Sequence, residues 1–151
     1  MYQLIMCVDL GLPSGTKWAN CNYGANSETE DGGHYSWDEA MKLPINLPTK
    51  VQFKELCDNT TSVWIKNYKG SGVSGRLFVS KINGNTIFFP ASGMCYNNRL
   101  IGRGTDGNYW SSTIYYSKLR CAYSLYFGSS NVYPQEYFNK CCGFCVRGVS
   151  D

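Results

Sequence analysis

The residues of this chain best suited to chemistry lie near its C-terminal end, where Cys142-Gly143-Phe144-Cys145 forms a C-x-x-C preceded by Cys141. Two thiols at that spacing can make half of a zinc site or a redox pair. A structural zinc needs four ligands, and there is no second C-x-x-C; the single histidine is His34, more than a hundred residues earlier. Cys141 could add a third thiolate, but in an extended chain Cys142 would point away from its neighbour. His34 stands in a Gly-rich polar loop and reads as a surface residue rather than a catalyst. With one His, no Ser/His/Asp set can be argued. The expectation from these residues is a protein without metal, cofactor or enzymatic activity.

A second feature of the same region is compositional. From residue 111 to the end there are 6 Tyr, 4 Cys and 7 Ser among 41 residues. A core would draw on Leu, Ile and Val, and a surface on Lys and Glu. Tyrosine with serine is the stock of antibody combining loops: Tyr gives rigid contact area and one hydrogen-bonding tip, and Ser and Gly give adaptability. Such a surface on a sheet suits protein binding. The competing reading is that Tyr115, Tyr116, Tyr133 and Tyr137 half-bury at a sheet edge.

The elements that must position these residues belong to a 151-residue chain with 43% hydrophobic and 17% charged residues, enough for one folded domain. Net charge is +3, with no Lys/Arg run, which gives no case for nucleic acid. No apolar stretch reaches the length of a membrane span. "MYQLIMCVDLGLPSG" lacks the basic start and apolar core of a signal peptide. The even count of eight cysteines allows a disulfide framework, but Cys7, Cys21, Cys57 and Cys95 are dispersed and the other four bunched; the early ones read as small buried hydrophobes.

Along the chain, a strand near Val8, a turn at Pro13-Ser14-Gly15 and a strand over Lys17–Cys21 are expected. Ser36 with Glu39, and Thr49 with Gln52, have capping-box spacing; they predict one short helix stopped by Pro44 and a second ending near Asp58. "SVWIKNY" and "GRLFVSKI" read as strands, Asn83-Gly84 as a hairpin turn and "NTIFFP" as the returning strand. Residues 97–108 read as loop, and "RCAYSLYFG" and "GFCVRGV" as strands. "IYYSKLRC" and "VYPQEYFNKCC" read as loop-like. The class is α+β, with two early helices and several short antiparallel strands. Within "YSLYFG", alternation puts Tyr123, Leu125 and Phe127 on a core face, and Ser124, Tyr126 and Gly128 on the other. In "GFCVRGV" it puts Phe144 and Val146 opposite Cys145 and Arg147.

The motifs "VDLGLPSGTKWANCNYGA", "LPTKVQFKEL", "IFFPASG", "GNYWSST" and "GFCVRGV", in this order over Val8 to Val149, resemble small C-type-lectin-like domains of gut bacteria and their phages. These include the variable proteins of diversity-generating retroelements. The "LPT…F…L" helix and the Arg-bearing terminal strand also resemble the formylglycine-generating-enzyme branch of that fold. The resemblance implies a C-type-lectin-like fold with a scaffold over 1–110 and a variable segment over 111–151. Adenine-specific mutagenesis of Asn codons would rewrite that segment, yielding Tyr, Ser, Cys, Phe, Leu, Ile, Arg, Gly, Asp or Pro. The positions carrying that set are Ile114, Tyr115, Tyr116, Leu119, Arg120, Cys121, Ser124, Tyr126, Gly128, Tyr133, Pro134, Tyr137, Phe138, Asn139, Cys141 and Cys142. The clustered cysteines would then be products of randomised codons. Lys118, Gln135, Glu136 and Lys140 depart from the pattern, and Gly148 stands where the family usually has Pro.

By this resemblance the function is ligand or receptor binding by a hypervariable surface, displayed on a cell or phage particle. Tyr115, Tyr116, Arg120, Tyr126, Tyr133, Tyr137 and Phe138 would be the principal contacts. The expected partner is a protein or surface receptor; nucleic acid and membrane insertion are not expected, and self-association is open. One alternative is an invariant adhesin or structural interaction module of the same fold. A more distant one is a copper oxidase using Cys142 and Cys145, as in the formylglycine-generating relatives. Calcium-dependent sugar binding is disfavoured because Trp110-Ser111-Ser112 carries no carboxylate and Asp106-Gly107-Asn108 alone offers too few oxygens. Asn59-Thr60-Thr61 matches a glycosylation pattern and is read as coincidence.

Overall fold

Two capping boxes start the helices. In a computed structural model, which describes residues 6–150, Ser36 Oγ accepts from Glu39 N (3.3 Å) and Glu39 Oε1 accepts from Ser36 N (2.9 Å). Thr49 and Gln52 repeat the exchange at 3.1 and 2.9 Å. Helix α1 runs Trp37–Met41 and buries Trp37 and Ala40; α2 runs Lys50–Asp58 and buries Phe53 and Leu56. Each box satisfies two backbone donors that a short helix leaves orphaned. Part of the N-terminal stretch read for a leader lies outside the described residues.

The strands form small sheets. β1 (Cys7–Val8), β2 (Lys17–Ala19) and β11 (Val149–Ser150) pair as β1-β2-β11, so the end of the chain closes on its beginning. β3 (Thr60–Ile65), β4 (Gly75–Ser80) and β5 (Thr86–Pro90) form an antiparallel meander, with a 3-10 turn at Tyr68–Gly70 between β3 and β4. Asn83-Gly84 does lie in the β4–β5 hairpin, but the connection is longer than a two-residue turn, spanning 81–85 with Gly84 at φ +77°. β6 (Met94–Tyr96) and β7 (Arg99–Ile101) form a hairpin whose turn and second strand lie in the stretch expected to be loop. Its turn is Asn97-Asn98, both at positive φ, the geometry of a type I′ turn that Asn tolerates.

The third three-stranded sheet carries the tail: β8 (Gly107–Ile114), β9 (Cys121–Phe127) and β10 (Val132–Asn139), in the order β10-β9-β8. Here too a segment expected to be loop is a strand, since "VYPQEYFN" is β10. Conversely, residues 143–145 of "GFCVRGV" make only isolated bridges, to Cys95, Tyr35 and Tyr109, before β11 begins.

Both faces of this sheet are covered. Tyr109, Leu125 and Phe127 enter one core with Trp18, Phe53 and Phe89, while Trp110 and Ala122 enter a second with Trp37, Phe144 and Val146. Trp110 and Phe144 stack at 4.1 Å between ring centroids. Each such ring contributes about 1.5–3 kcal/mol by leaving water. The chain is therefore a mixed α/β protein with two helices and mostly antiparallel strands in small sheets among the described residues.

Arg147 threads the junction of these layers. It is fully buried; Nε and Nη2 donate to Asn22 Oδ1 (3.0 and 2.8 Å), Nη1 to Ala19 O (3.2 Å) and Nη2 to Phe88 O (2.8 Å), with the Phe89 ring 4.2 Å away. Burial lowers its pKa. A guanidinium at this depth is tolerated because its donors meet oxygen acceptors and its face meets an aromatic ring.

Candidate functional site

Strand β10 lies at the edge of its sheet, and half-buried and exposed residues alternate along its length. The exposed row is Tyr133, Gln135, Tyr137 and Asn139; Val132, Pro134, Glu136 and Phe138 are half-buried. Register fixes the neighbours. Tyr133 pairs with Tyr126, Glu136 with Ser124, Tyr137 with Tyr123 and Phe138 with Ala122. Between Tyr133 and Glu136 the register shifts, because β10 carries one more residue there than β9. This bulge moves Tyr133 and Tyr137 to opposite faces of the sheet.

Two aromatic groups result. On the α2 side, Tyr115 and Tyr137 stack at 4.0 Å and 9° between planes, and Tyr115 meets Tyr123 edge-on at 5.3 Å. Lys50 Nζ sits 4.3 Å above the Tyr123 ring, and Gln135 Nε2 donates to Lys50 O (3.2 Å). The Tyr137 phenol is pushed up, chiefly by Tyr115 beside it. On the other face, Tyr126 and Tyr133 are parallel at 6.1 Å. Tyr126 donates to Asp106 Oδ1 (3.2 Å); burial, then that carboxylate, push its phenol up.

Beyond β8, the 115–120 turn projects outward. Tyr116 and Leu119 are 80% and 65% exposed, and Arg120 is exposed beside them. Backbone bonds close the turn, from Tyr115 N to Cys121 O and from Lys118 N to Tyr115 O. The opposite turn, 128–131, is pinned to β4 by Arg76, whose Nε donates to Gly128 O (3.0 Å) and Nη2 to Ser129 O (3.1 Å). Gly128 is thus half-buried and held through its carbonyl.

The positions expected to contact a ligand separate accordingly. Tyr116, Leu119, Arg120, Tyr133, Tyr137, Asn139 and Cys141 are exposed. Tyr115, Tyr126 and Pro134 are half-buried at the same rim, while Ile114 and Phe138 pack against the second core. Three positions are buried instead of presented: Ser124 at 0%, Cys142 at 4% and Cys121 at 7% exposure. Alternation had put Ser124 on a free face, but the Phe144 segment covers that face, and β9 has neighbours on both sides.

The two thiols of the C-x-x-C, Cys142 and Cys145, are free and buried. Cys145 is fully buried, its Sγ donates to Asp31 O (3.3 Å), and burial pushes its pKa up to about 12. Burial raises Cys142 as well. A nucleophilic or metal-binding cysteine needs the reverse shift. All eight cysteines are free, and no cluster of three or more His, Cys, Asp or Glu among the described residues could hold a metal ion. His34 is half-buried, with Nε2 2.9 Å from Ser92 O. Among the described residues no helix is long and apolar enough to cross a membrane.

Sequence reasoning missed Asp106 and Asn108 as parts of this surface. With Tyr126, Glu136, Tyr137, Phe138 and Met94 they line a concavity of about 480 Å³ beside Tyr126. The signal was the pairing of Asn108 with Tyr126 across β8 and β9, which is visible only once register is known.

No curated protein and no solved structure matches the chain. Residues 60–149, more than half of the chain and including β3 through the Arg147 segment, match the family model described as "Domain of unknown function (DUF8237)", and the protein belongs to that family.

Proposed function

We propose that this protein is a binding module, with a ligand-contacting surface formed by the 115–120 turn and the outward residues of β10. The observation that carries the reading is the exposed aromatic and apolar set Tyr116, Leu119, Tyr133 and Tyr137 on a sheet whose two inner faces are packed. Large amphipathic rings on a rigid support lose little entropy on binding, and they are the usual anchors of protein interfaces. Arg120 adds a guanidinium suited to bidentate hydrogen bonds. The bulge and Pro134 blunt the free edge of β10 against strand addition, which favours contact through side chains over backbone pairing.

The finer reading is a C-type-lectin-like domain whose tail is diversified by a retroelement and displayed on a phage or bacterial surface, with a receptor as partner. The motif resemblance supports it, as does the exposure of seven of the sixteen positions concerned. The test is deep sequencing of the gene and its flanks across a population that carries it. Variation confined to the off-framework positions between Ile114 and Cys145, with a nearby near-copy carrying adenines at the matching bases, is the expected result. A uniform tail with no such copy would refute diversification and leave an invariant interaction module.

A further inference from the structure

The concavity beside Tyr126 has a chemistry that the 115–120 turn does not share. Its charged lining is wholly acidic, the carboxylates of Asp106 and Glu136, set beside the Asn108 amide and the Tyr126 and Tyr137 side chains. No lining residue is basic, although the chain as a whole carries a net charge of +3. Arg103, the nearest arginine in sequence to Asp106, is engaged elsewhere, at 2.7 Å from Asp31.

One side chain of this lining lacks a partner. Asn108 is 2% exposed and its Oδ1 has no hydrogen bond. Buried polar atoms without a partner are rare without a function. Around it stand the Tyr126 ring, Phe138 and the Met94 thioether. The site thus combines negative charge, a buried acceptor and aromatic faces, which together favour a planar organic cation.

We propose that this concavity receives an arginine side chain of a protein partner. Asp106 and Glu136 would accept from the guanidinium, and the unpartnered Asn108 amide would lie beside it. The Tyr126 ring would lie against its face, with the phenol held by its bond to Asp106. The proposal rests on the binding-module reading and gives that surface a partner chemistry. It adds Asp106 and Asn108, which lie outside the variable segment, to Tyr126, Glu136 and Phe138, which lie within it. A metal ion is the weaker occupant, since no cluster of three metal-ligating side chains is present among the described residues.

The test is an NMR titration of the protein with N-acetyl-arginine-methylamide, alongside the uncharged citrulline analogue and calcium chloride. Saturable shifts at Asp106, Asn108, Tyr126 and Glu136 with the arginine compound alone are expected. Glu136→Gln and Asp106→Asn, each nearly isosteric, should weaken binding about tenfold. Equal response to citrulline, response to calcium alone, or shifts unchanged in both variants would overturn the proposal. Such a failure would leave the tail reading standing, because that reading is tested by sequence variation and not by this pocket.

Discussion

Strand β10 and the segment from Cys142 to Arg147 lie only a few residues apart, and both are rich in residues that a sequence reader would assign to a binding tail. The structure treats them in opposite ways. Every second residue of β10 stands in water, while all six residues of 142–147 are buried. The segment is a plug between the two cores: Phe144 and Val146 face Trp110 and Trp37, Cys145 joins the other cluster, and Arg147 ties the segment to Ala19 and Asn22 and to Phe88. β10 is the rim that the plug supports, since Phe138 packs edge-on against Phe144 at 5.5 Å. Composition does not decide whether a tyrosine or cysteine is an anchor or a core residue. What covers its face decides it.

The strongest way to break this contrast is at Arg147. Replacing it with Met removes the cation but strands Asn22 Oδ1, Ala19 O and Phe88 O in a dry interior. The expected loss is about 3–5 kcal/mol, because several buried acceptors lose their partners together. Denaturant unfolding would measure it. A loss below 1 kcal/mol would mean that 142–147 is less firmly seated than its burial implies.

The next test uses two positions on neighbouring strands that were expected to be equally free. Ser124→Tyr forces a ring into a site with no exposed surface and should cost about 1–3 kcal/mol by overpacking. Tyr133→Ser, on the neighbouring strand and 44% exposed, should change stability by no more than about 0.5 kcal/mol. Equal costs would erase the distinction between β9 and β10.

The thiols give a chemical version of the same comparison. Cys141 is exposed and should be alkylated by iodoacetamide in the native protein, whereas Cys142 and Cys145 should react only after unfolding. The buried thiol also predicts a pH dependence. Cys145 is raised from 9.0 to about 12, so the unfolded chain loses this proton first as pH rises. The stability it contributes is complete below pH 9 and declines between pH 9 and 12. Cys145→Ala should flatten that alkaline decline, which pH-dependent unfolding would show.

Much of this architecture was legible in the residues. The two capping boxes fixed both helix starts, because Ser36/Glu39 and Thr49/Gln52 are local chemistry that needs no tertiary context. The core face of β9 was half legible: Leu125 and Phe127 are buried as alternation requires. Ser124 was not, since alternation states which residues share a face but not whether a later segment covers it. β10 read as loop because Pro134, Gln135 and Asn139 are weak strand formers; pairing with β9 overrides them, and the bulge absorbs Pro134. The β6–β7 hairpin was hidden because Asn97-Asn98 signals a turn as readily within a loop. For the site, the exposed tyrosines were within reach of composition. Asp106 and Asn108 became neighbours of Tyr126 only through its register with β8.

The smallest effect asks whether the rim is prearranged. Tyr115 and Tyr137 stack face to face at 4.0 Å, and they come from the β8–β9 turn and from β10. If they hold each other, single substitutions to Ser will not be additive. A double-mutant cycle on unfolding free energy should give a coupling of about 0.5 kcal/mol, at the low end for aromatic pairs because Tyr137 is 40% exposed. A coupling of that size means that the two rings reach a ligand as one preformed plate, with little ordering left to do on binding. A coupling near zero means that each ring moves independently and the α2-side group is a set of separate contacts. The plug would then be rigid and the rim only loosely so, and the contrast between the two regions would extend from burial to motion.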